Sequence, residues 1–356
     1  MPIINFIKKY KFYFLAGLCI LIILAWPLFI NGALENNFNK SDISKFFSAD
    51  NHFQKIGEPI NTVIVPVVAN NILVFGGDIM LSRTVNQKME TYQNYQWPFE
   101  KIATLFSEAD LAIANLESPF LLNSKYDVKT GSFSFKANPK SAASLSLAGF
   151  DVLSLANNHI LNQGIKGVKD TYQVLSESGI SYVGTKDSKL VVKESQGVKF
   201  AFLAYSYDST SLLIANLDVK QLAVDIKEAK TKADVVIILM HAGTEYTRQP
   251  NWQQKEFAHI AIDNGADLVV GHHPHWPQII ESYQGKTIIY SLGNLVFDQM
   301  WSKETSEGLV AKAYFKDKEL DRLDYIPISI SDYGQAVIMP DGPAKDKLLK
   351  SVMIKN

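Results

Sequence analysis

The chain has 356 residues, 47% of them hydrophobic, and a formal net charge of −1. That length allows one large domain with accessories, and the near-neutral balance excludes a global field for nucleic acid, so a polyanionic partner has to be held by local geometry. The single cysteine, Cys19, excludes both a disulfide framework and a thiolate metal site within one chain.

Lys8, Lys9 and Lys11 precede a stretch from Phe12 to Leu34 that carries no charge, roughly 23 residues and enough to cross about 30 Å of hydrocarbon. The positive-inside rule puts residues 1–11 in the cytoplasm, makes residues 12–34 a single-pass transmembrane anchor and puts the remainder outside the cell membrane. Asn31, Gly32 and Ala33 form a poor small-residue cleavage site, which favours an anchor over a cleaved signal. Residues 35–71 read as a stalk, with Thr62 to Val68 as one edge strand.

From residue 72 a cycle repeats about five times. Ile72 to Phe75 is an apolar strand broken by Gly76, Gly77 and Asp78, and a helical stretch runs through Trp97 to Asp110. Leu111 to Ala114 is the next strand, leaving through Asn115, Leu116 and Glu117. Ser141 to Ala148 reads as a helix, Asp151 to Leu155 as a strand, and Ala156, Asn157, Asn158 and His159 as its polar exit. Gly164 to Ser178 is a helix closed by Gly179, and Val198 to Tyr205 a longer strand. Val224 to Lys232 is helical, Ala233 to Met240 is a strand that exits through His241 to Glu245, and Trp252 to Asn264 is a helix. Ala266 to Val270 is a buried strand running into Gly271, His272, His273, Pro274 and His275, three of the seven histidines in one turn. Alternating strands and helices predict an α/β layered domain with largely parallel strands. After Gln278 the runs Ile279 to Ser282, Thr287 to Leu292, Leu309 to Phe315 and Leu320 to Ile330 read as antiparallel strands, so the domain spans residues 72–332, with 333–356 as a tail.

Each strand of the repeating part ends in a residue type that binds hard or borderline metals. Asp78, Glu117, Asn158, His159, His241, His273 and His275 come from five loops, and strand ends of one sheet meet at one rim, where open α/β folds keep ligands. Taken singly, each has a mundane role as a cap or a turn residue; together, mixed nitrogen and oxygen donors suit manganese, zinc or iron. Arg83, just past Asp78, is either a bidentate holder of an anionic substrate or a solvated surface residue. Phe133 and Phe135 alternate in a strand and are expected to pack in the core. Trp97, Trp252, Trp276 and Trp301 are expected in core or rim packing, with Trp276 best placed to line a cleft.

The ordered motifs Gly77-Asp78-Ile79-Met80, Asn115-Leu116-Glu117, Ala156-Asn157-Asn158-His159, His241-Ala242-Gly243-Thr244-Glu245-Tyr246, Gly271-His272-His273-Pro274-His275 and Ser291-Leu292-Gly293-Asn294 resemble the CapA family of capsule or poly-γ-glutamate synthesis proteins. The resemblance implies a four-layer α/β/β/α sandwich of calcineurin-like metallophosphoesterase type, preceded by the transmembrane helix. It further implies one or two divalent ions, an anionic polymer or its precursor as partner, and contact with polymer synthase or export subunits. By the same resemblance Asp78, Glu117 and His275 hold one metal, and Asn158, His241 and His273, with the bridging Glu117, the other. Catalysis would then rest on His159 as proton donor, together with Asp78 and Glu117. Arg83, Asn115, Asn157, Glu245, His272, Asn294 and Asp298 surround the ligands or touch substrate. The chain departs from the parent pattern at Met80, which stands where that pattern has a ligand histidine, and at Glu117, one methylene longer than aspartate. These departures leave open a single-metal site and a site that binds without turnover. The enzyme reading is a phosphoesterase-like hydrolase or transferase; the other is a polymer-binding or scaffolding subunit.

Overall fold

The computed structural model describes residues 70–207, 213–216 and 218–353. The expected cytoplasmic segment, the anchor at residues 12–34, the stalk up to residue 69 and the edge strand at Thr62 to Val68 lie outside the described residues. Among the described residues no helix is long and apolar enough to cross a membrane.

Two mixed sheets carry the domain. The first runs β14-β13-β12-β1-β2-β3-β4, with β11 paired to β1 off that path. Its strands are β1 (Asn70–Ile79), β2 (Leu111–Leu116), β3 (Val152–Ser154), β4 (Ser181–Val183), β11 (Asn294–Val296), β12 (Glu307–Lys316), β13 (Glu319–Ser331) and β14 (Gln335–Ile338). The second runs β5-β6-β7-β8-β10-β9, from β5 (Leu190–Ser195), β6 (Val198–Ser206), β7 (Val235–His241), β8 (Leu268–His272), β9 (Ile280–Tyr283) and β10 (Lys286–Ile289). β1 through β4 and β6 through β8 are parallel, as the alternation with helices requires. Strands β12 and β13 are antiparallel as expected and β14 joins them antiparallel, but β9 turns back antiparallel into β10, and β10 lies parallel to β8, with Thr287 opposite Leu268.

One hydrophobic core joins the facing sides of the two sheets: Leu73 and Phe75 of β1 share it with Phe200 and Phe202 of β6, Ile237 of β7 and Val270 of β8. Phe200 and Phe315 meet edge-on across it at 5.2 Å between centroids. The alternate residues of β6 to β8, among them Leu203, Ile238 and Val269, pack under α5 (Val219–Lys230) and α6 (Trp252–Asp263). Asp218 caps α5 by accepting from the Lys220 and Gln221 amides, and Asn251 and Gln254 form a capping box on α6. On the first sheet, α2 (Ala103–Ser107) lies on β2 and α4 (Gly164–Glu177) on β4.

Several boundaries differ from expectation. The helix expected through residues 97–110 is confined to Ala103–Ser107, and turns take up the rest, because Pro98 biases its predecessor away from helix. Helix α5 runs from Val219 to Lys230, starting and ending earlier in the chain than the expected Val224 to Lys232. Helix α1 (Arg83–Thr91), β4, β5, β11 and β14 were not expected. Residues 333–352 belong to the domain and are not a tail: β14 pairs with β13, and α7 (Pro343–Val352) buries Leu348 and Val352. Helix α3 (Ala142–Ala148) ends as read, with Gly149 in the left-handed region. Phe133 and Phe135 lie in no strand; Phe135 is buried but Phe133 is 73% exposed. Of the tryptophans, Trp97 is buried while Trp252 and Trp301 are exposed. Trp276 lies under the Arg248 guanidinium at 5.6 Å.

Candidate metal centre

The carboxyl ends of β1 and β2 in one sheet meet those of β7 and β8 in the other. The converging rim therefore belongs to two sheets, not to one as the strand count alone indicated. Register does the placing: Asp78 sits opposite both Asn115 and Asn294, and His241 sits opposite His272. A pairing irregularity between Phe75 and Asp78 turns the end of β1. Glycine is required there, since a Cβ on Gly77 would stand 2.0 Å from the Gly293 carbonyl oxygen, and one on Gly271 2.0 Å from that of Tyr290. His272 ties the two sheets together, its Nε2 donating to the Gly76 carbonyl at 3.2 Å. That bond takes it out of the ligand set, and burial holds its pKa below the ordinary imidazole range.

Asp78, Glu117 and His241 are fully buried and offer ligand atoms within 4.8 Å of one another. His241 is the hub. Its Nδ1 faces the Asn115 side-chain amide at 3.2 Å, and its Nε2 lies 3.0 Å from Asn158 Oδ1, 3.1 Å from His273 Nδ1 and 3.9 Å from Glu117 Oε1. Asn115 also donates to Asp78 Oδ1 at 2.8 Å and reaches Glu117 Oε1 at 3.4 Å, while its own oxygen accepts from Asn157 at 3.2 Å. Asp78 Oδ2 accepts from the His273 backbone amide at 3.2 Å and lies 3.4 Å from His275 Nδ1. His275 in turn lies 2.9 Å from Asn294 Oδ1. His273 and His275 have φ of 97° and 58°, and Tyr246, whose ring stacks toward His275, has 62°. Non-glycine residues held at positive φ gather where surrounding structure imposes them, most often at functional sites.

Electrostatics separate the two carboxylates. Burial pushes Glu117 well above the usual carboxylate range, and the charges of Asp78 and Glu245 add to it. Burial would raise Asp78 too, but the His275 bond and the His272, His275 and His241 rings overcome it and hold Asp78 low. Burial, then the charge of His273, holds His241 well below its ordinary value. Glu117 Oε2 is buried with no hydrogen-bond partner. An orphaned carboxylate oxygen costs free energy unless a proton or a cation meets it, and the surrounding oxygen and imidazole donors are those a divalent ion takes. The residues present therefore fit a metal.

The remaining candidates divide. Asn157 is a turn residue: its Oδ1 accepts from the His159 and Ile160 amides and its Nδ2 donates to the Leu116 carbonyl. His159 is buried under the Phe135 ring, at 4.1 Å between centroids, and burial, opposed by the Asn162 bond, holds its pKa down to about 4. Glu245 is half-buried and close enough to raise both Glu117 and Tyr246. Asn294 donates to Gln299 Oε1 and to the Thr305 carbonyl, which fixes the oxygen it offers His275. Arg83 and Asp298 depart from expectation: both are buried and pair with each other, and Arg83 also donates to the Ser132 carbonyl at 3.0 Å. Arg83 is thus neither solvated nor free to clamp a substrate. Sequence reasoning missed Tyr246 as a wall of the site and Asn162 as a partner of His159; the spacing of Asn162, three residues after His159 in a turn-forming stretch, was the available signal.

Residues 72–299 match the family model described as bacterial capsule synthesis protein PGA_cap. The chain is 33% identical over 275 residues to the capsule biosynthesis protein CapA of Bacillus anthracis, covering 72% of this chain and 66% of that one, just under two thirds of its length. It is 31% identical over 292 residues to the PGA biosynthesis protein CapA of Bacillus subtilis (strain 168), covering 78% and 76%. Among solved structures, a phosphatase from Mycoplasma pneumoniae aligns with a TM-score of 0.46 at 16% identity over 80% of this chain and 97% of that one, a likeness on which nothing further rests. On the extent of the family match and the identity to both Bacillus proteins, the chain belongs to the bacterial capsule synthesis protein PGA_cap family.

Proposed function

We propose that this chain is a membrane-anchored envelope protein of capsule or poly-γ-glutamate-type polymer synthesis, with a four-layer sandwich of metallophosphoesterase type outside the membrane. In this reading it hydrolyses or transfers a phosphoester or a γ-glutamyl-type linkage. Its partners are then the cell membrane, an anionic polymer or its precursor, and synthase or export subunits. The names of the two Bacillus relatives support the polymer class. The observation that carries the metal-dependent activity is the set of donors around His241 Nε2, within 3.9 Å of Asn158, His273 and Glu117, beside an orphaned Glu117 oxygen.

Asn158, His241, His273 and Glu117 would hold one divalent ion, and Asp78, Glu117 and His275 a second. When bound, such an ion supplies Lewis-acid polarisation of a phosphoryl or carbonyl oxygen. Asn115 orients Asp78 and His241 by its side-chain amide, and Asn294 orients His275. His159 exchanges a proton with the substrate, and Tyr246 walls the cluster beside His275. The test is metal content of the purified chain by elemental analysis, then turnover of an aryl phosphate with Mn²⁺ or Zn²⁺. Bound metal that is lost in His273→Ala is expected; equally little metal in both sinks the reading.

A second reading, a polymer-binding or scaffolding subunit without turnover, is favoured by Met80. It is fully buried, its sulfur accepts from the Ser82 amide at 3.1 Å, and it puts a thioether where the parent pattern has an imidazole. Metal without turnover on any phosphoester or γ-glutamyl substrate, with retained polymer binding, would select it.

A further inference from the structure

The side-chain oxygen of Asn162 receives two contacts. The Phe135 backbone amide lies 2.7 Å from it and His159 Nδ1 lies 3.1 Å from it. A backbone amide can only donate, so the Asn162 atom that faces Phe135 is the oxygen and not the nitrogen, which settles the amide orientation that geometry alone leaves ambiguous. The same oxygen then faces His159 Nδ1, and an oxygen without a hydrogen requires a donor there. Nδ1 therefore carries the ring proton.

Three further contacts fix the ring. The His159 backbone amide donates to Asn157 Oδ1 at 3.1 Å, the Asn162 amide donates to the His159 carbonyl at 2.8 Å, and the Phe135 ring lies on the imidazole at 31° to it. Phe135 is itself held from another direction by the Arg83 guanidinium at 4.9 Å, and Arg83 is paired with Asp298.

We propose that Asn162 is a positioning residue that locks His159 as its Nδ1–H tautomer and presents Nε2 to the site as a hydrogen-bond acceptor. The inference deepens the hydrolase reading and rests on it for its catalytic meaning. A carboxylate on Nδ1 stabilises an imidazolium; a neutral amide oxygen does so far less. As the neutral Nδ1–H tautomer the ring keeps its lone pair on Nε2, and in that form His159 takes a proton from a nucleophile's O–H or N–H before it can give one to a leaving group. Its first act is that of a base, where the family resemblance alone implied a donor.

The tautomer is read directly from the imidazole ¹⁵N shifts of the full-length chain, with the His159 signals assigned by their loss in His159→Gln. A pyrrole-type Nδ1 and a pyridine-type Nε2 are expected in the wild type at neutral pH. Asn162→Asp, which keeps an acceptor, retains that pattern; Asn162→Leu, which removes it, shifts to an Nε2–H or mixed pattern. A wild type with its proton on Nε2, or a folded Asn162→Leu unchanged from it, overturns the proposal. Where Asn162→Leu does not fold, the wild-type spectrum decides. In turnover assays Asn162→Leu is expected to lose roughly tenfold to a hundredfold in kcat, the usual cost of removing a partner that orients a site residue, with KM and metal content unchanged and with recovery in Asn162→Asp. If no variant turns over, the hydrolase reading fails while the spectra still judge the tautomer.

Discussion

His241 Nε2 and His273 Nδ1 face each other across 3.1 Å at the point where the two sheets meet. Two neutral imidazoles at that distance share one N–H···N hydrogen bond, and a divalent ion held by the same two nitrogens would take the place of that proton. A divalent ion held by these donors, as proposed, would contribute to stability as well as to chemistry. At a free metal concentration one hundred times the dissociation constant the contribution is about 2.7 kcal/mol. For a domain of this size, at about 2.1 cal/mol/K of unfolding entropy per residue, that is about 4 to 5 °C in melting temperature. Chelation is expected to lower the melting temperature by that amount, Mn²⁺ or Zn²⁺ to restore it, and His241→Ala to be insensitive to both. A melting curve indifferent to chelator and metal in the wild type contradicts the site.

Arg83 and Asp298 test a different part of the rim. Both side chains are buried and bonded to each other, and Asp298 also accepts from the Thr84 amide at 3.1 Å. Removing one partner leaves a buried charge, which costs on the order of 3–5 kcal/mol, whereas replacing both with apolar side chains of similar volume costs far less. In urea denaturation Asp298→Ala is expected to lose about that much, and the double variant Arg83→Met with Asp298→Leu to recover most of it. Metal content is expected to hold in all three folded proteins, because neither side chain touches the donor set. Additive losses in the double variant would show that the pair is not coupled.

The end of β1 is held against β11 by an absence of side chain. A Cβ at Gly77 would meet the Gly293 carbonyl oxygen at 2.0 Å, closer than any relaxation of a flexible side chain relieves, because the obstacle is backbone. Gly77→Ala is expected to cost at least about 1–3 kcal/mol. It is also expected to displace Asp78, so that metal content falls with stability. Calorimetry and elemental analysis on the same preparation check both; a stable Gly77→Ala with full metal would mean that β1 and β11 separate freely.

How legible this molecule was in its sequence depended on what each residue does alone. Strands β6, β7 and β8 announced themselves as near-continuous apolar runs, because both faces are buried, one by the opposite sheet and one by helices α5 and α6. The rim residues stood out only together, because each alone has a mundane role as a cap or a turn residue while the set repeats at the end of every strand of the cycle. What the pattern concealed were contacts made by register. Nothing in the stretch around Arg83 says that Asp298, 215 positions later, is its partner. Helix α1 has Ser82 at its N-cap, but that side chain makes no capping hydrogen bond, the first residue has φ of 49° and the first turn carries no acidic residue, so its start signal is weak. Strand β5 is an edge strand whose apolar run is only Leu190 to Val192 and whose residues are half-exposed or exposed. The division of the rim between two sheets was likewise hidden, since strand order is set by packing that periodicity does not record.

Met80 offers the sharpest test of how the motifs correspond to a dinuclear pattern. It lies two residues beyond Asp78, is fully buried, and spends its sulfur on the Ser82 amide. A thioether is a poor ligand for the hard and borderline ions that carboxylates and imidazoles select, so the ion held by Asp78 and His275 should be the weaker of two in this chain. Met80→His puts an imidazole in that place, and it is expected to raise the metal bound per chain by one ion. Elemental analysis after dialysis against trace metal, with Met80→Leu as a volume control, measures the change. If Met80→His is folded and binds no more metal than Met80→Leu, the position does not face the ions, and the aligned motif Gly77-Asp78-Ile79-Met80 does not carry the role its resemblance gives it.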